Sequence, residues 1–251
     1  MKKNKMKVIK FFLFTGILLA SCNLYADTFK EEKEYILSVK LPLIPKISVM
    51  QISTKLANTN NEKYELNFNV KTLNLIDYIS SVNGDGYVSG SINNNIYIPD
   101  LYKYDYVRKS QKKSVSLKYL DGEIIEEKFT PKFDKNKLTP ILNKQKHNTI
   151  DPATLFLRLV DLSRINQCTE SIKIYDGKRR YDIIFNEKKL DNQIIECSAW
   201  QNRIGGYKKD KIDPLTNTDI VKIRYENASN NKFLEFYAKK GLIEISIEEI
   251  N

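Results

Sequence analysis

The chain has 251 residues, with 41 lysines and arginines against 31 aspartates and glutamates, and a formal net charge of +10. Removing residues 1–26 takes away five lysines and no acidic residue, which lowers the net charge from +10 to +5. A nucleic-acid-binding protein needs a concentrated basic face. The modest, well-mixed charge of the remaining chain therefore argues against nucleic acid as a partner.

The N-terminal segment has the layout of a secretory signal peptide. An apolar run, Phe11–Ala20, is too short for a membrane-spanning helix of about 20 residues. It follows a basic segment that contains Lys2, Lys3, Lys5, Lys7 and Lys10. Both features predict export across the inner membrane to the periplasm.

Two processing alternatives stay open. Cleavage after Ala26 would remove residues 1–26 as the signal peptide and leave 27–251 as a single β-rich domain. The string Leu19-Ala20-Ser21-Cys22 also resembles a lipobox, so that residues 1–21 would be removed and Cys22 would carry a lipid. In the second case the protein would be a membrane-anchored lipoprotein, and the N-terminal lipid would be its only expected membrane contact.

Alternation of apolar and polar residues dominates the rest of the chain. It is clear at Tyr64–Val70, Val221–Tyr225 and Ile243–Ile247, and it predicts antiparallel strands with one buried and one solvated face. Asp121-Gly122 lies between two such runs and predicts a two-residue hairpin turn. The string Gly84-Asp85-Gly86 is also interpreted as a turn.

Few segments predict helices. Asp151-Pro152 has an N-cap residue followed by a proline suited to the first helical position, and apolar residues at helical spacing follow as far as Ile165. A shorter helix is predicted at 73–81. Residues 131–150 are polar, contain two prolines and are expected to form a long connection.

The most highly charged stretch is Ile174–Phe185, IYDGKRRYDIIF. Asp176-Gly177 predicts a second two-residue hairpin, which would pair Lys173 with Arg180. Lys173, Arg180 and Asp182 would then share a solvated face. The alternative is a contact site for an anionic group or a partner protein, formed by Lys178, Arg179 and Arg180.

The mature chain contains two cysteines, Cys168 and Cys197, if Cys22 is removed or lipidated. An even number of cysteines in an oxidising compartment predicts a disulfide. In a simple strand meander the two residues would lie ~9–10 Å apart, beyond the ~7 Å that a bridge usually allows. The bond therefore requires the chain at Cys168 to leave the sheet and fold over it.

These features together resemble DUF3108, a domain-of-unknown-function family of exported proteobacterial, especially alphaproteobacterial, proteins. The residues that carry the likeness are Asp151-Pro152, Cys168, the string Tyr175–Asp182, Cys197, Gly205-Gly206 and the terminal GLIEISIEEI. The family is similar in architecture to the periplasmic carriers of lipoproteins. The resemblance implies a mainly β (α+β) fold, a curved antiparallel sheet like an incomplete barrel with one or two helices on its concave side.

The sequence contains no clear set of residues for a common catalytic mechanism. His147 is the single histidine and lies in a polar loop, so neither a histidine-based metal site nor a Ser-His-Asp triad is indicated. We predict no catalytic residue, no metal and no cofactor. The oligomeric state stays open.

Three functional hypotheses remain. The first is a non-enzymatic envelope protein that binds a lipid or a lipidated partner in an apolar concavity. The second is a structural or assembly factor that contacts another envelope protein, and the third is a hydrolase of envelope material. The apolar pocket of the first hypothesis is expected beside the Asp151 helix, lined by Leu155, Phe156, Leu159, Tyr64, Leu66 and Phe68.

Overall fold

The computed structural model describes residues 28–59, 62–74, 77–78, 81–160, 168, 171–191, 193–209, 221–226 and 232–250. The predicted signal peptide and Cys22 lie outside these residues, as do residues 75, 76, 79 and 80 of the predicted helix at 73–81. The described strands are β1 (Thr28–Leu41), β2 (Ile44–Thr59), β3 (Lys63–Thr72), β4 (Val82–Asn93), β5 (Ile96–Arg108), β6 (Gln111–Leu120), β7 (Glu123–Thr130), β8 (Ile172–Tyr175), β9 (Arg180–Asp191), β10 (Ile194–Gly205), β11 (Val221–Glu226), β12 (Phe233–Lys240) and β13 (Ile243–Ile250). The fully described helical elements are α1 (Pro152–Val160) and two 3₁₀ turns, Lys135–Lys137 and Asn143–Gln145, and residues 74, 77 and 78 are helical as well.

All thirteen strands form one antiparallel sheet in the order β7-β6-β5-β4-β3-β2-β1-β13-β12-β11-β10-β9-β8. The sheet curves around α1 without closing into a barrel, so β7 and β8 are its two edge strands. The predicted mainly β, half-barrel fold is confirmed. The Asp121-Gly122 hairpin is confirmed as well, because Leu120 pairs with Glu123 and both turn residues have positive φ.

The strand ends define two rims, and we name them by their turns. The upper rim carries the β1–β2, β5–β6, β8–β9 and β12–β13 turns. The lower rim carries the β2–β3, β4–β5, β6–β7 and β9–β10 turns. Residues that follow β7, and those that end β10, also lie at the upper rim.

The prediction of a turn at Gly84-Asp85-Gly86 is wrong, because these residues lie inside β4. A Cβ atom at Gly86 would lie 1.9 Å from a ring carbon of Phe68, and one at Gly90 would lie 2.0 Å from the carbonyl oxygen of Ile98. The glycines of β4 thus leave room on the inner face for bulky neighbours on β3 and β5. Glycine inside a strand often marks such a close approach.

Helix α1 lies on the concave side and joins two apolar clusters. Leu159 and Val160 pack in one cluster around Tyr35 and Ile174, and Leu157 packs in the other around Tyr64, Leu66, Val88 and Leu117. The helix begins at Pro152, as predicted. The fully buried Asp151 caps it, accepting hydrogen bonds from the N–H groups of Ala153 (2.9 Å) and Thr154 (2.8 Å).

The connection from 131 to 150 lies between the two edges of the sheet. The N–H of Asn148 donates to Gly122 O at the β6–β7 turn (2.7 Å), and the N–H of Ile150 donates to Lys173 O on β8 (2.9 Å). The N–H of Tyr175 returns a bond to Ile150 O (3.0 Å). This short backbone bridge ties β8 to the far edge of the sheet and buries Thr149 and Ile150.

Cys168 and Cys197 form a disulfide with their Cα atoms 5.6 Å apart. Cys197 lies within β10, opposite Lys188 on β9, whereas Cys168 lies outside the strands with a positive φ. The chain at Cys168 therefore does lie over the sheet, as the bond requires. Both cysteines are buried in the same cluster as Leu159.

Candidate functional site

The β8–β9 turn approaches the opposite edge of the sheet at the upper rim. A Cβ atom at Gly177 would lie 2.6 Å from a ring carbon of Phe129 on β7 and 2.9 Å from Cγ1 of Val115 on β6. Gly177 also has a φ of +89°, a backbone conformation that L side chains rarely adopt. Glycine at this position lets the turn pack against the far edge.

The turn is longer than the sequence indicated. Tyr175 pairs with Arg180, so the loop has four residues and the predicted register is wrong by two. The cause is the Asp176 side chain. Its Oδ1 accepts from the N–H groups of Lys178 (2.9 Å) and Arg179 (2.6 Å), while its Oδ2 accepts from Nε of Arg179 (2.7 Å). These local bonds compete with a two-residue turn.

A shift of two residues keeps every side chain on its predicted face but changes its partner. Lys173 lies opposite Asp182 and not opposite Arg180, which removes the predicted pairing of like charges. Arg180 is 4% exposed, so its placement on a solvated face is wrong. Its Nε donates to Gln145 O (2.6 Å), and its Nη1 donates to Tyr181 O (2.7 Å) and to Asp182 Oδ1 (2.6 Å).

The edges of the sheet are also linked through side chains. The Tyr175 hydroxyl donates to Gly177 O (2.9 Å) and lies 3.2 Å from Oε2 of Glu127 on β7. Lys146 pairs with Glu127, and its Nζ lies 5.0 Å from the centre of the Tyr175 ring. Burial, followed by the charge of Glu127, raises the pKa of Tyr175, which keeps the hydroxyl neutral and able to donate.

Above this link, the upper rim contains a cavity of about 740 Å³, which we call the rim cavity. It lies between β5–β7, the start of the 131–150 connection, the β8–β9 turn and the end of β10. Among the described residues, one lining carboxylate is present, Asp176, and the cationic lining residues are Arg108, Lys113, Lys132, Lys178, Arg179, Arg203 and Lys208. Its aromatic lining residues are Tyr106, Phe129, Phe133 and Tyr207.

Aromatic rings and cations alternate around the rim cavity. Nζ of Lys178 lies 5.8 Å from the centre of the Phe133 ring, and the Arg203 guanidinium lies 4.8 Å from the centre of the Tyr207 ring. Burial raises the pKa of Tyr207 against the opposing effect of Arg179 and Arg203, so its hydroxyl is neutral at physiological pH. Lys113 lies on the inner face opposite Tyr106 and is half-buried.

The rim cavity has the chemistry of an anion site with an apolar wall. The Asp176 carboxylate accepts hydrogen bonds within its own turn and forms an ion pair with Arg179. Among the described residues, no acidic side chain forms an ion pair with Lys113, Lys178 or Lys208. In the same part of the chain, no group of three or more His, Cys, Asp or Glu residues could hold a metal ion.

Comparison with known proteins places the chain in a family. A family model described as a protein of unknown function, DUF3108, matches residues 35–226. The chain belongs to the DUF3108 family. The resemblance seen in the sequence is thereby confirmed, and the matched region includes both cysteines and the string Tyr175–Asp182.

No curated protein matches this DUF3108 chain. Among solved structures, it is similar to a β-barrel-like protein of the DUF1849 family from Brucella abortus, at 10% identity and a TM-score of 0.49, over 88% of this chain and 95% of that one. It also matches a DUF1329 family protein from Desulfovibrio piger at 6% identity and a TM-score of 0.23, over 91% of this chain and 85% of the other.

The structure separates the residues predicted for an apolar pocket in this DUF3108 protein. Tyr64, Leu66 and Leu159 are buried in the core, while Leu155 and Phe156 are half-buried against it. Phe68 lines a second cavity of about 700 Å³ together with Glu34, Lys55 and Asp85. A ligand pocket formed by the six residues stays a prediction.

Two of the three residues predicted as anion or partner contacts, Lys178 and Arg179, line the rim cavity, and the buried Arg180 does not. The other cations of the cavity were missed because they come from β5, β6, the connection and β10, which only the fold brings together. Tyr106 stacks on Tyr104 of the same strand, with 4.8 Å between the ring centres. The described part of the DUF3108 chain has no helix long and apolar enough to cross a membrane.

Proposed function

We propose that this DUF3108 protein is an exported, non-enzymatic binding protein that holds the anionic head group of a phospholipid in the rim cavity. The observation that carries the proposal is the lining, in which the described residues supply seven cationic side chains and one carboxylate. Arginine and lysine bind phosphate oxygens through charge-assisted hydrogen bonds, which are stronger than those between neutral groups. A phospholipid supplies such a phosphate together with an apolar body.

The size and the aromatic wall favour a lipid over a free inorganic anion. Ligand sites typically enclose about 300–1,000 Å³, and the rim cavity of about 740 Å³ falls in this range. The tilted rings of Phe129 and Phe133 lie 5.2 Å apart between their centres and supply an apolar surface beside the cations. A small free anion would leave most of this surface unused.

Export is part of the proposal, because an envelope phospholipid is the expected ligand. The mature protein would begin at Asp27 or, if lipidated, at Cys22. Intact mass of the protein from an envelope fraction tests this directly. An unprocessed chain beginning at Met1 in the cytosol, with none in the envelope, would contradict it.

Native mass spectrometry of gently extracted protein tests the ligand. We expect one anionic phospholipid per chain in the wild type and its loss from a Lys113→Glu/Lys178→Glu double variant. Lys103→Glu is the matched control, because Lys103 is exposed on β5 and does not line the cavity. Equal lipid occupancy in the double variant and the control would contradict the proposal.

The same experiment addresses the alternative of an assembly factor. A protein that co-purifies in place of lipid, and is lost in the double variant, would show that the rim cavity contacts an acidic segment of another envelope protein.

A further inference from the structure

Two neighbouring hairpins at the upper rim end in exposed aliphatic residues. Leu43 in the β1–β2 turn is 105% exposed, and Leu242 in the β12–β13 turn is 74% exposed. The two turns lie side by side because β1 pairs with β13, with Lys40 opposite Glu244. Ile44 and Ile243, the next residues along the two hairpins, are exposed as well.

Leucine is an unusual residue at these two positions. Turn tips favour glycine, asparagine and aspartate, and Leu43 has a φ of +64°, which few bulky residues adopt. A contiguous exposed apolar surface of this kind usually marks an interaction site. The two tips therefore form a small apolar projection from the sheet, which we call the apolar tips.

The charge around the upper rim indicates what covers the apolar tips. The β5–β6 turn carries four cations and no acid over residues 108–113, RKSQKK. Beside the apolar tips, Lys40 and Lys239 both pair with Glu244, and Lys46 pairs with Glu248. With the cations of the rim cavity, the rim presents a basic surface around an apolar projection. This combination is typical of proteins that lie on anionic lipid surfaces.

The described part of the lower rim differs in the charge that directly follows its exposed leucines, although Lys188 and Lys189 precede Leu190. Its exposed leucines, Leu120 and Leu190, each lie next to an aspartate, Asp121 and Asp191. An anionic surface would repel these neighbours. Exposed leucines therefore occur at both rims, but the charge around those of the upper rim favours contact with an anionic membrane.

We infer that the upper rim docks on an anionic membrane surface, with Leu43 and Leu242 inserted among the lipid head groups. This orientation brings the rim cavity to the level of the head groups, so the inference rests on the proposed function and supplies the route by which the ligand enters. It adds a membrane contact that is independent of any lipid on Cys22.

Sedimentation with vesicles tests the inference. The probes are phosphatidylcholine vesicles with and without phosphatidylglycerol, and the protein is residues 27–251, which lack Cys22, so that no acyl chain contributes. We expect wild-type protein to sediment with the anionic vesicles and less with the neutral ones. Leu43→Asp/Leu242→Asp should weaken this binding by at least about tenfold.

Leu120→Asp/Leu190→Asp is the matched control, because it changes the same residue type at the lower rim and should leave vesicle binding unchanged. Circular dichroism of each variant checks that the fold is retained. Equal binding by the two double variants, or no vesicle binding by the wild type, would overturn the inference.

The outcome is separable from that of the proposed function. The apolar-tip variant should still bind a monomeric short-chain phosphatidylglycerol in solution, whereas Lys113→Glu/Lys178→Glu should not. Loss of short-chain lipid binding in the apolar-tip variant would contradict the assignment of these leucines to docking alone.

Discussion

Arg180 is the residue that most directly couples the charged turn to the rest of the fold. Its guanidinium holds Gln145 O of the connection and pairs with Asp182, with its side chain only 5% exposed. Removing one partner of a buried ion pair leaves the other charge unpaired in a low-dielectric site. In the sequence, Arg180 follows two other cationic residues, Lys178 and Arg179. Only the structure shows that Arg180 is the buried one of the three.

We therefore expect Arg180→Gln to lower the free energy of unfolding by about 3 kcal/mol. Urea unfolding measures this change. The control is Arg179→Gln, where an exposed ion pair is lost and the change should stay within about 0.5 kcal/mol. Equal effects of the two substitutions would show that Arg180 does not hold the connection.

Gly86 is a second position where a single added carbon atom would disturb the packing. Gly86→Ala would place a Cβ atom 1.9 Å from the Phe68 ring, so we expect a loss of about 1–3 kcal/mol. Phe68→Leu shortens that side chain and should make the two substitutions less than additive. A double-mutant cycle measured by urea unfolding checks this coupling. Strict additivity would contradict a direct collision.

At the scale of elements, the disulfide joins the segment after α1 to β10. A loop of 29 residues gives a chain-entropy stabilisation of about 3.6 kcal/mol. The Cys168→Ala/Cys197→Ala variant should therefore unfold at a lower urea concentration than the oxidised wild type, and reduction of the wild type should have a similar effect. Identical unfolding of oxidised and reduced wild-type protein would contradict the expected contribution.

An element is predictable from the sequence when its bounds are set by contacts between neighbouring residues. It is not predictable when contacts between distant residues set them. The start of α1 and the Asp121-Gly122 hairpin are predictable, since a cap and a two-residue turn involve only neighbours in sequence. The β8–β9 register is not, because the Asp176 side chain takes over the turn hydrogen bonds. The glycines of β4 lead to a wrong turn prediction, because the rings they accommodate come from other strands.

The same reasoning applies to the candidate site. Lys178 and Arg179 stand out in the sequence as a local cluster. Lys113, Arg203 and Lys208 lie near them only because the curvature of the sheet brings its two edges towards each other, and no local sequence pattern predicts that curvature.

At the scale of the whole molecule, the core is rich in buried tyrosines. Burial raises the pKa of Tyr64, Tyr102, Tyr119 and Tyr225 above the ordinary value of about 10. Above pH ~10 these residues ionise in the unfolded chain but stay protonated in the folded one. The folded state then binds more protons, so stability falls as the pH rises.

We expect the free energy of unfolding to be insensitive to these groups below pH ~10 and to decrease above it. Urea unfolding at increasing pH, combined with phenolate absorbance, measures both effects. Phenolate absorbance from the buried tyrosines should appear together with the loss of folded structure. Full tyrosine ionisation in protein that keeps its fold would contradict their burial.

At the scale of function, the central proposal is that the rim cavity binds the head group of an anionic phospholipid. Direct titration with a soluble anionic phospholipid is the most direct test of it. Isothermal titration calorimetry with dihexanoyl phosphatidylglycerol, below its micelle concentration, should show one site per chain in the wild type and in Lys103→Glu. The Kd should rise by at least about tenfold in Lys113→Glu/Lys178→Glu, since two charge-assisted contacts are reversed. An unchanged Kd in that double variant, or no binding by the wild type, would contradict the proposal that the rim cavity holds an anionic lipid head group.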